Sequence, residues 1–250
     1  MSVKIYPMNT GFIRLDKGVY ITGGEGYGEE VEVPTWAFLV TDGKEKILVD
    51  TGMSDTKNAD WHHPGSFQPE ELRIDRQLAK SGIGVEEINA VIFTHLHWDH
   101  CTNMKLFVNA EYFVHANELK FALDPHILYY KSYSSRKLGV IPPFDGVEFR
   151  TVDAEYEFNS FITLFPTPGH CPGHQSVEVK TDKGIYVIAG DAVFADENLK
   201  PDTRRKLPFT PMGRFVNVFE LYDSMERIIK RADHILTGHG QAVGAQPVYP

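Results

Sequence analysis

At 250 residues, with 42% hydrophobic, 24% charged and 12% aromatic side chains, the chain has the make-up of a globular protein able to bury a sizeable core. A net charge of −9 argues against nucleic acid as partner, because phosphate binding needs clustered Lys and Arg. The one dense basic run, Arg204-Arg205-Lys206, reads as a solvated loop.

No apolar run approaches the roughly eighteen residues that span a bilayer, so no membrane partner is expected. Residues 1–7 lack a secretory pattern, and two cysteines, Cys101 and Cys171, make no disulfide framework. A cytoplasmic setting follows as an expectation. Nothing in the sequence speaks to oligomeric state.

The N-terminal part reads as β-rich, with strands expected at 3–8, 19–22, 35–40 and 46–49 and turns at Gly23-Gly24 and Asp42-Gly43. The last of these delivers Asp50 to a strand end, where it is either a carboxylate orienting a ligand histidine or a turn residue. Residues 54–69 read as a long loop, the kind that is often functional. Trp61 and Phe67 are its candidate substrate-pocket residues, while His62 and His63 read as surface histidines. A helix is expected over 69–80, with Leu72, Leu78 and Ala79 inward and Gly82 ending it.

Residues 88–93 form an apolar, β-branched-rich run that ends in Thr94-His95-Leu96-His97-Trp98-Asp99-His100-Cys101. Four metal-competent side chains stand within six residues as H-x-H-x-D-H. In an extended segment His95 and His97 project to one side, because side chains alternate with period two. Asp99 and His100 then lie beyond a turn. Such an arrangement suits two metal ions better than one, and chance placement of 11 histidines rarely produces it.

A strand at 112–114 and a helix at 116–123 follow, with His115 structural. The irregular, Tyr-rich stretch 124–144 is a candidate second wall over the site, with Tyr130 among its candidate substrate contacts. A strand at 161–165 leads into Pro166-Thr167-Pro168-Gly169-His170-Cys171-Pro172-Gly173-His174, a fixed turn that suits His170 as a ligand. His174 reads as a structural hydrogen bonder opening a strand at 175–179. The strand at 185–189 presents Asp191. Asn217 with Glu220 opens a helix to about residue 231 that buries Val218, Leu221, Met225, Ile228, Ile229 and Ala232. A short strand at 234–237 ends in Gly238-His239-Gly240. No repeat of 20 to 50 residues is visible.

His95-x-His97-x-Asp99-His100, then His170, Asp191 and His239 in that order, resemble the metallo-β-lactamase superfamily. Within it, Pro34-Thr35-Trp36, residues 47–53 (Ile-Leu-Val-Asp-Thr-Gly-Met) and Thr167-Pro168-Gly169-His170-x-Pro172-Gly173-His174 are similar to the N-acyl homoserine lactonase group. The resemblance implies an α/β fold, an αβ/βα sandwich of two mixed β-sheets with helices on the outer faces, as one domain over 1–250. It implies that His95, His97 and His170 bind one divalent metal, that Asp99, His100 and His239 bind another, and that Asp191 bridges them. Zinc is the expected metal, with iron, manganese and cobalt also suited to imidazole and carboxylate donors. Phe194 stands where the group commonly carries a tyrosine that hydrogen-bonds the lactone. Loss of such a donor costs roughly a hundredfold or more unless another hydroxyl, on Tyr129, Tyr130 or Tyr133, replaces it.

The expected activity is hydrolysis of a small-molecule lactone, with N-acyl homoserine lactones as lead substrates. A hydroxide bridging the two metals would attack the carbonyl, with Asp99 handling the proton and Asp191 holding the pair together. A glyoxalase-II-like thioesterase shares the ligand set and is the alternative. β-Lactam hydrolysis and flavodiiron redox chemistry fit the ligand pattern less well. No G-x-S-x-G nucleophile motif occurs in the chain.

Overall fold

The structure, a computed structural model, describes residues 2–250. Its first sheet has six strands in the order β1 (Lys4–Asp16), β2 (Glu30–Thr41), β3 (Lys46–Val49), β4 (Ala90–Ile92), β5 (Glu111–His115) and β6 (Arg150–Val152). β1 to β3 pair antiparallel and β3 to β6 parallel. The second sheet runs β11 (His234–Thr237), β10 (Gly184–Gly190), β9 (Gln175–Thr181), β8 (Ile162–Pro166) and β7 (Tyr156–Glu157), with only the β10–β11 pair parallel. Both sheets are therefore mixed.

Period-two alternation assigns each strand face to a layer. Phe38, Val40, Ile47, Val49 and Ile92 of the first sheet meet Ile162, Leu164, Val177, Ile188 and Leu236 of the second in one central core. The alternate residues Leu39, Leu48, Val91 and Val114 turn outward to Ile74 and Leu78 of α2 (Ile74–Lys80) and Ala122 of α4 (Ala116–Leu123). On the far side, Phe165, Val187 and Ala189 receive Leu221, Met225 and Ile228 of α5 (Val218–Arg231). Helix, sheet, sheet, helix: this is the expected sandwich.

Several boundaries hold closely, among them β3, β11 and α4. Asn217 caps α5 as expected, its side chain accepting from the Phe219 and Glu220 amides. Other expectations are corrected. Residues 19–22 are not a strand but part of a π-helical turn, Gly18–Thr22, closed by Gly23 at φ 60°. Residues 54–69 are not all loop: α1 (Thr56–His62) starts there, its amide of Asn58 donating to the Asp55 carboxylate at 2.8 Å. Polar residues mask this helix in the sequence because only Ala59 and His62 are buried. The helix expected over 69–80 is split into a 3₁₀ turn, Glu70–Leu72, and α2. Ile74 and Leu78 point inward, whereas Leu72 is half-buried and Ala79 exposed. On α5, Ile229 is 39% exposed rather than buried, and Ser224 takes an inward place by donating to the Pro168 carbonyl at 2.7 Å.

Candidate metal centre

The seven motif residues leave strand ends of both sheets and converge. His95 and His97 follow β4, and Asp99 and His100 lie on the four-residue helix α3 (Trp98–Cys101). His170 follows β8, Asp191 follows β10 and His239 follows β11. They form two groups able to hold an ion: His95, His97, His170 and Asp191, and Asp99, His100 and His239.

Asp191 faces both groups. Its Oδ2 lies 3.3 Å from His170 Nε2 and 3.9 Å from His95 Nε2, while Oδ1 lies 3.3 Å from His100 Nε2 and 3.2 Å from His239 Nε2. Asp99 Oδ2 closes the second group at 3.4 Å from His239 and 3.5 Å from His100. Two glycines permit this crowding. A Cβ on Gly238 would lie 2.5 Å from Asp191 Oδ1, and one on Gly190, at φ 53°, 2.7 Å from His174 Nε2.

The outward nitrogens are tied down. His100 Nδ1 meets Asp50 Oδ2 at 2.8 Å, His95 Nδ1 the Thr94 hydroxyl at 3.1 Å, His170 Nδ1 the Arg214 carbonyl at 2.9 Å and His239 Nδ1 the Pro34 carbonyl at 2.8 Å. A donated Nδ1–H leaves Nε2 with a lone pair aimed inward, which is how proteins present imidazole to a cation. His97 differs: its Nδ1 approaches His170 Nε2 at 3.0 Å, and its ring stands edge-on to Tyr133. Among the described residues, Nε2 of His95, His100 and His239 and Oδ1 of Asp191 are buried without a hydrogen-bond partner. Orphaned buried acceptors are costly, and here they surround one small volume. The donor set fits divalent cations.

Asp50 is the orienting carboxylate rather than a mere turn residue. It sits at φ 58° and also accepts from the Thr94 amide (2.8 Å) and hydroxyl (2.7 Å). His174 is structural, as expected: its Nε2 accepts from the Asp191 amide at 3.0 Å and its Nδ1 meets the Thr167 hydroxyl at 2.9 Å. His115 accepts from the Asn117 amide at the start of α4. Both cysteines are free and buried, burial pushes both thiols well up, and neither belongs to the two metal-competent groups; Cys101 instead donates to the Leu96 carbonyl at 3.4 Å.

Electrostatics follow from burial and crowding. Burial, with the charge of neighbouring histidines added, pushes His95 and His97 well down, so both are neutral. Burial alone would raise Asp191, but His239, His100 and His170 outweigh it and hold the carboxylate ionised. The same contest runs the other way at His100, where Asp99, Asp191 and Asp50 outweigh the burial.

A cavity of about 430 Å³ opens onto the cluster. His97, Asp99, His170 and Asp191 form its floor, and Ile13, Leu15, Trp98, Phe194 and Met212 give it an apolar wall. Of the expected substrate contacts, Phe194 lines it, its ring 4.3 Å from that of His239. Trp61, Phe67 and Tyr130 do not line it. Trp61 projects from α1 into a separate surface depression beside Asn58 and Ile141; Phe67 pairs with Phe12, ring to ring at 5.3 Å. Once α1 forms, its geometry turns Trp61 outward and His62 inward, the reverse of the loop reading. His62 is buried flat against Trp98 at 4.3 Å and both His62 and His63 line the cavity. Tyr133 donates to Glu118 at 2.8 Å and Tyr129 lies under Arg214, and neither lines the cavity beside Phe194. Tyr20 and Ser132 are the hydroxyl-bearing residues on the cavity wall among the described residues.

Sequence reasoning did not single out Tyr20, Lys131, Ser132, Met212 or Arg214, which line the cavity from connections with no motif. It also passed over Glu118, buried under the motif loop and accepting from the Leu96 amide at 2.9 Å. A glutamate on a short helix carries no signal that it is buried.

Comparison with known proteins agrees with this geometry. Residues 31–239 match the family described as the metallo-beta-lactamase superfamily. An N-acyl homoserine lactonase from Bacillus sp is 28% identical over 222 residues, 85% of this chain and 83% of that one. The crystal structure of a quorum-quenching N-acyl homoserine lactone lactonase superposes with a TM-score of 0.77 at 25% identity, covering 97% of this chain and 94% of the other. An N-acyl homoserine lactone hydrolase with the product N-hexanoyl-L-homoserine at its catalytic metal center superposes at 0.78 with 24% identity, covering 98% and 96%. With its motif residues gathered between two mixed sheets and the match spanning most of its length, the chain belongs to the metallo-beta-lactamase superfamily.

Proposed function

We propose that this chain is a dinuclear metal-dependent hydrolase that opens lactone rings, with N-acyl homoserine lactones as lead substrates. The carrying observation is the placement of Asp191, with one oxygen toward each histidine group and partnerless Nε2 atoms around it. His95, His97 and His170 would hold one ion and Asp99, His100 and His239 the other, with Asp191 between. Zinc suits these donors, as do iron, manganese and cobalt. Bound there, the ions supply an activated water and Lewis acidity toward a carbonyl.

The chain's own residues supply the rest. Asp99 lies on the cavity floor, where a carboxylate can receive the water's proton and return it to the leaving alkoxide. The apolar wall of Ile13, Leu15, Phe194 and Met212 excludes water and packs the substrate body. Likeness to the Bacillus lactonase supports an ester ring as target. Residues 1–250 read as one domain, since both sheets share the central core and both supply motif residues. Two free cysteines suit the cytoplasm; no described helix is long and apolar enough to cross a membrane.

Elemental analysis followed by a lactone and a thioester assay tests the reading. Two ions per chain, lactone opening, loss on chelation and recovery with zinc, iron, manganese or cobalt are expected. Thioester turnover with lactones untouched moves the chain to the glyoxalase-II-like alternative, and full activity without metal ends the proposal.

A further inference from the structure

The lining of the cavity carries two permanent cations. Lys131 and Arg214 belong to it, beside His63, whose imidazole burial pushes down toward the neutral form, and the carboxylates in the lining are Asp99 and Asp191, both in the metal-binding groups. In a chain of net charge −9 this is a local reversal of sign.

Neither cation is neutralised from within the described residues. Arg73, Arg136, Arg150, Arg205 and Arg231 each pair with a carboxylate, whereas Arg214 and Lys131 have none within 4.0 Å. Arg214 is nevertheless held in place. Its guanidinium lies over the Tyr129 ring at 4.4 Å and donates to the Leu128 carbonyl at 2.9 Å, while its own carbonyl fixes His170. One of five guanidinium donors is thereby used, leaving a positioned fork suited to an oxyanion. Lys131 lies 5.6 Å from the Trp61 ring centre, a loose contact that leaves its ammonium free to turn.

We propose that the substrate carries an anionic group, a carboxylate or a phosphate, which Arg214 and Lys131 engage while its ester ring sits over the metal-binding groups. This rests on reading the site as an ester-ring hydrolase and adds the charge of the substrate's far end. The product carboxylate is not what Lys131 serves: it forms at the reacting carbon, between the two groups, whereas Lys131 stands on the exposed connection after the 3₁₀ turn Ile127–Tyr129, its ammonium near Trp61 rather than near any motif residue. A lining that combines Ile13, Leu15, Phe194 and Met212 with Lys131 and Arg214 selects an amphipathic molecule with a compact apolar body and one charged arm.

The test compares N-succinyl homoserine lactone with its neutral isostere, N-succinamoyl homoserine lactone. At low salt kcat/KM should favour the acid by about tenfold, expressed in KM and shrinking as salt rises. The acid-to-amide ratio should fall toward one in Arg214→Gln and in the more exposed Lys131→Gln, which keeps a readout if the first variant folds poorly. The ring-opened forms of both compounds, titrated calorimetrically, give the same ratio without turnover. Equal ratios in the wild type, or a preference for the acid that survives both substitutions, overturn the assignment. Failure of both lactones to open, with the binding preference intact, instead removes the lactonase reading and leaves the anion site standing.

Discussion

The two sides of the cavity are built differently. The seven motif residues stand at strand ends or on the short helix beside them, and none is more than 5% exposed. The rest of the lining comes largely from connections: the turn after β1, the end of α1, the 3₁₀ turn Ile127–Tyr129 with the residues after it, and the segment before α5, with Ile13 and Leu15 of β1 added. Leu128 there is 69% exposed. Strand ends fix atoms closely because β4, β8 and β10 are paired on both sides and β11 on one, whereas connections are free to vary. Chemistry is thus mounted on the rigid side and substrate choice on the adaptable one.

Substitutions can separate the two sides. Asp191→Ala should cost most, about a thousandfold or more in kcat together with a lowered metal content, read by steady-state assay and elemental analysis. Asp50→Asn keeps shape but removes the charge that orients His100. A 10- to 100-fold loss in metal affinity is expected from competition with a chromophoric chelator. An unchanged affinity would mean that His100 is rigid without it. On the apolar wall, Phe194→Tyr adds a hydroxyl beside His239 and should raise kcat on neutral lactones about tenfold; no gain would show that the hydroxyl has no line to the carbonyl.

Acid stability probes the boundary between the sides. Burial pushes His62 and His174 down to about 3. Both are neutral in the fold but protonate near 6.5 when unfolded, so the unfolded chain binds more protons below that pH. Their stabilising contribution is full above about pH 6.5 and is lost as pH falls toward 3, by up to about 1.4 kcal/mol per pH unit for each group. Denaturant melts at pH 7 and pH 5 should show the loss, and His62→Gln should make it shallower. The smallest effect is expected of Trp61→Ala, within about twofold in kcat/KM, because the side chain lies outside the cavity.

Legibility in the sequence followed the same division. The H-x-H-x-D-H run, the Pro/Gly-fixed turn at His170 and the glycines around His239 are local signals, and the motif residues lie after strand ends or, for Asp99 and His100, on the short helix that follows one. Alternating apolar residues announced most strands, and the Asn217 cap announced α5. The failures cluster on the other wall. Trp61 and Phe67 were aromatic residues in an apparent loop, yet α1 and the bridge to Phe12 turned both away from the site. Arg214 and Lys131 sit in segments with no periodicity, 83 positions apart in the chain, and nothing local joins them.

The chain by itself determined the layers, the metal-competent residues and their mounting at strand ends, because hydrophobic period, turn chemistry and ligand spacing act between near neighbours. Only the tertiary structure decided that Asp191 faces both groups, that His62 is buried, and that two unpaired cations share the lining of one cavity with apolar side chains. Those relations join residues far apart in sequence, and they arise when two sheets pack and bring their connections to a common edge.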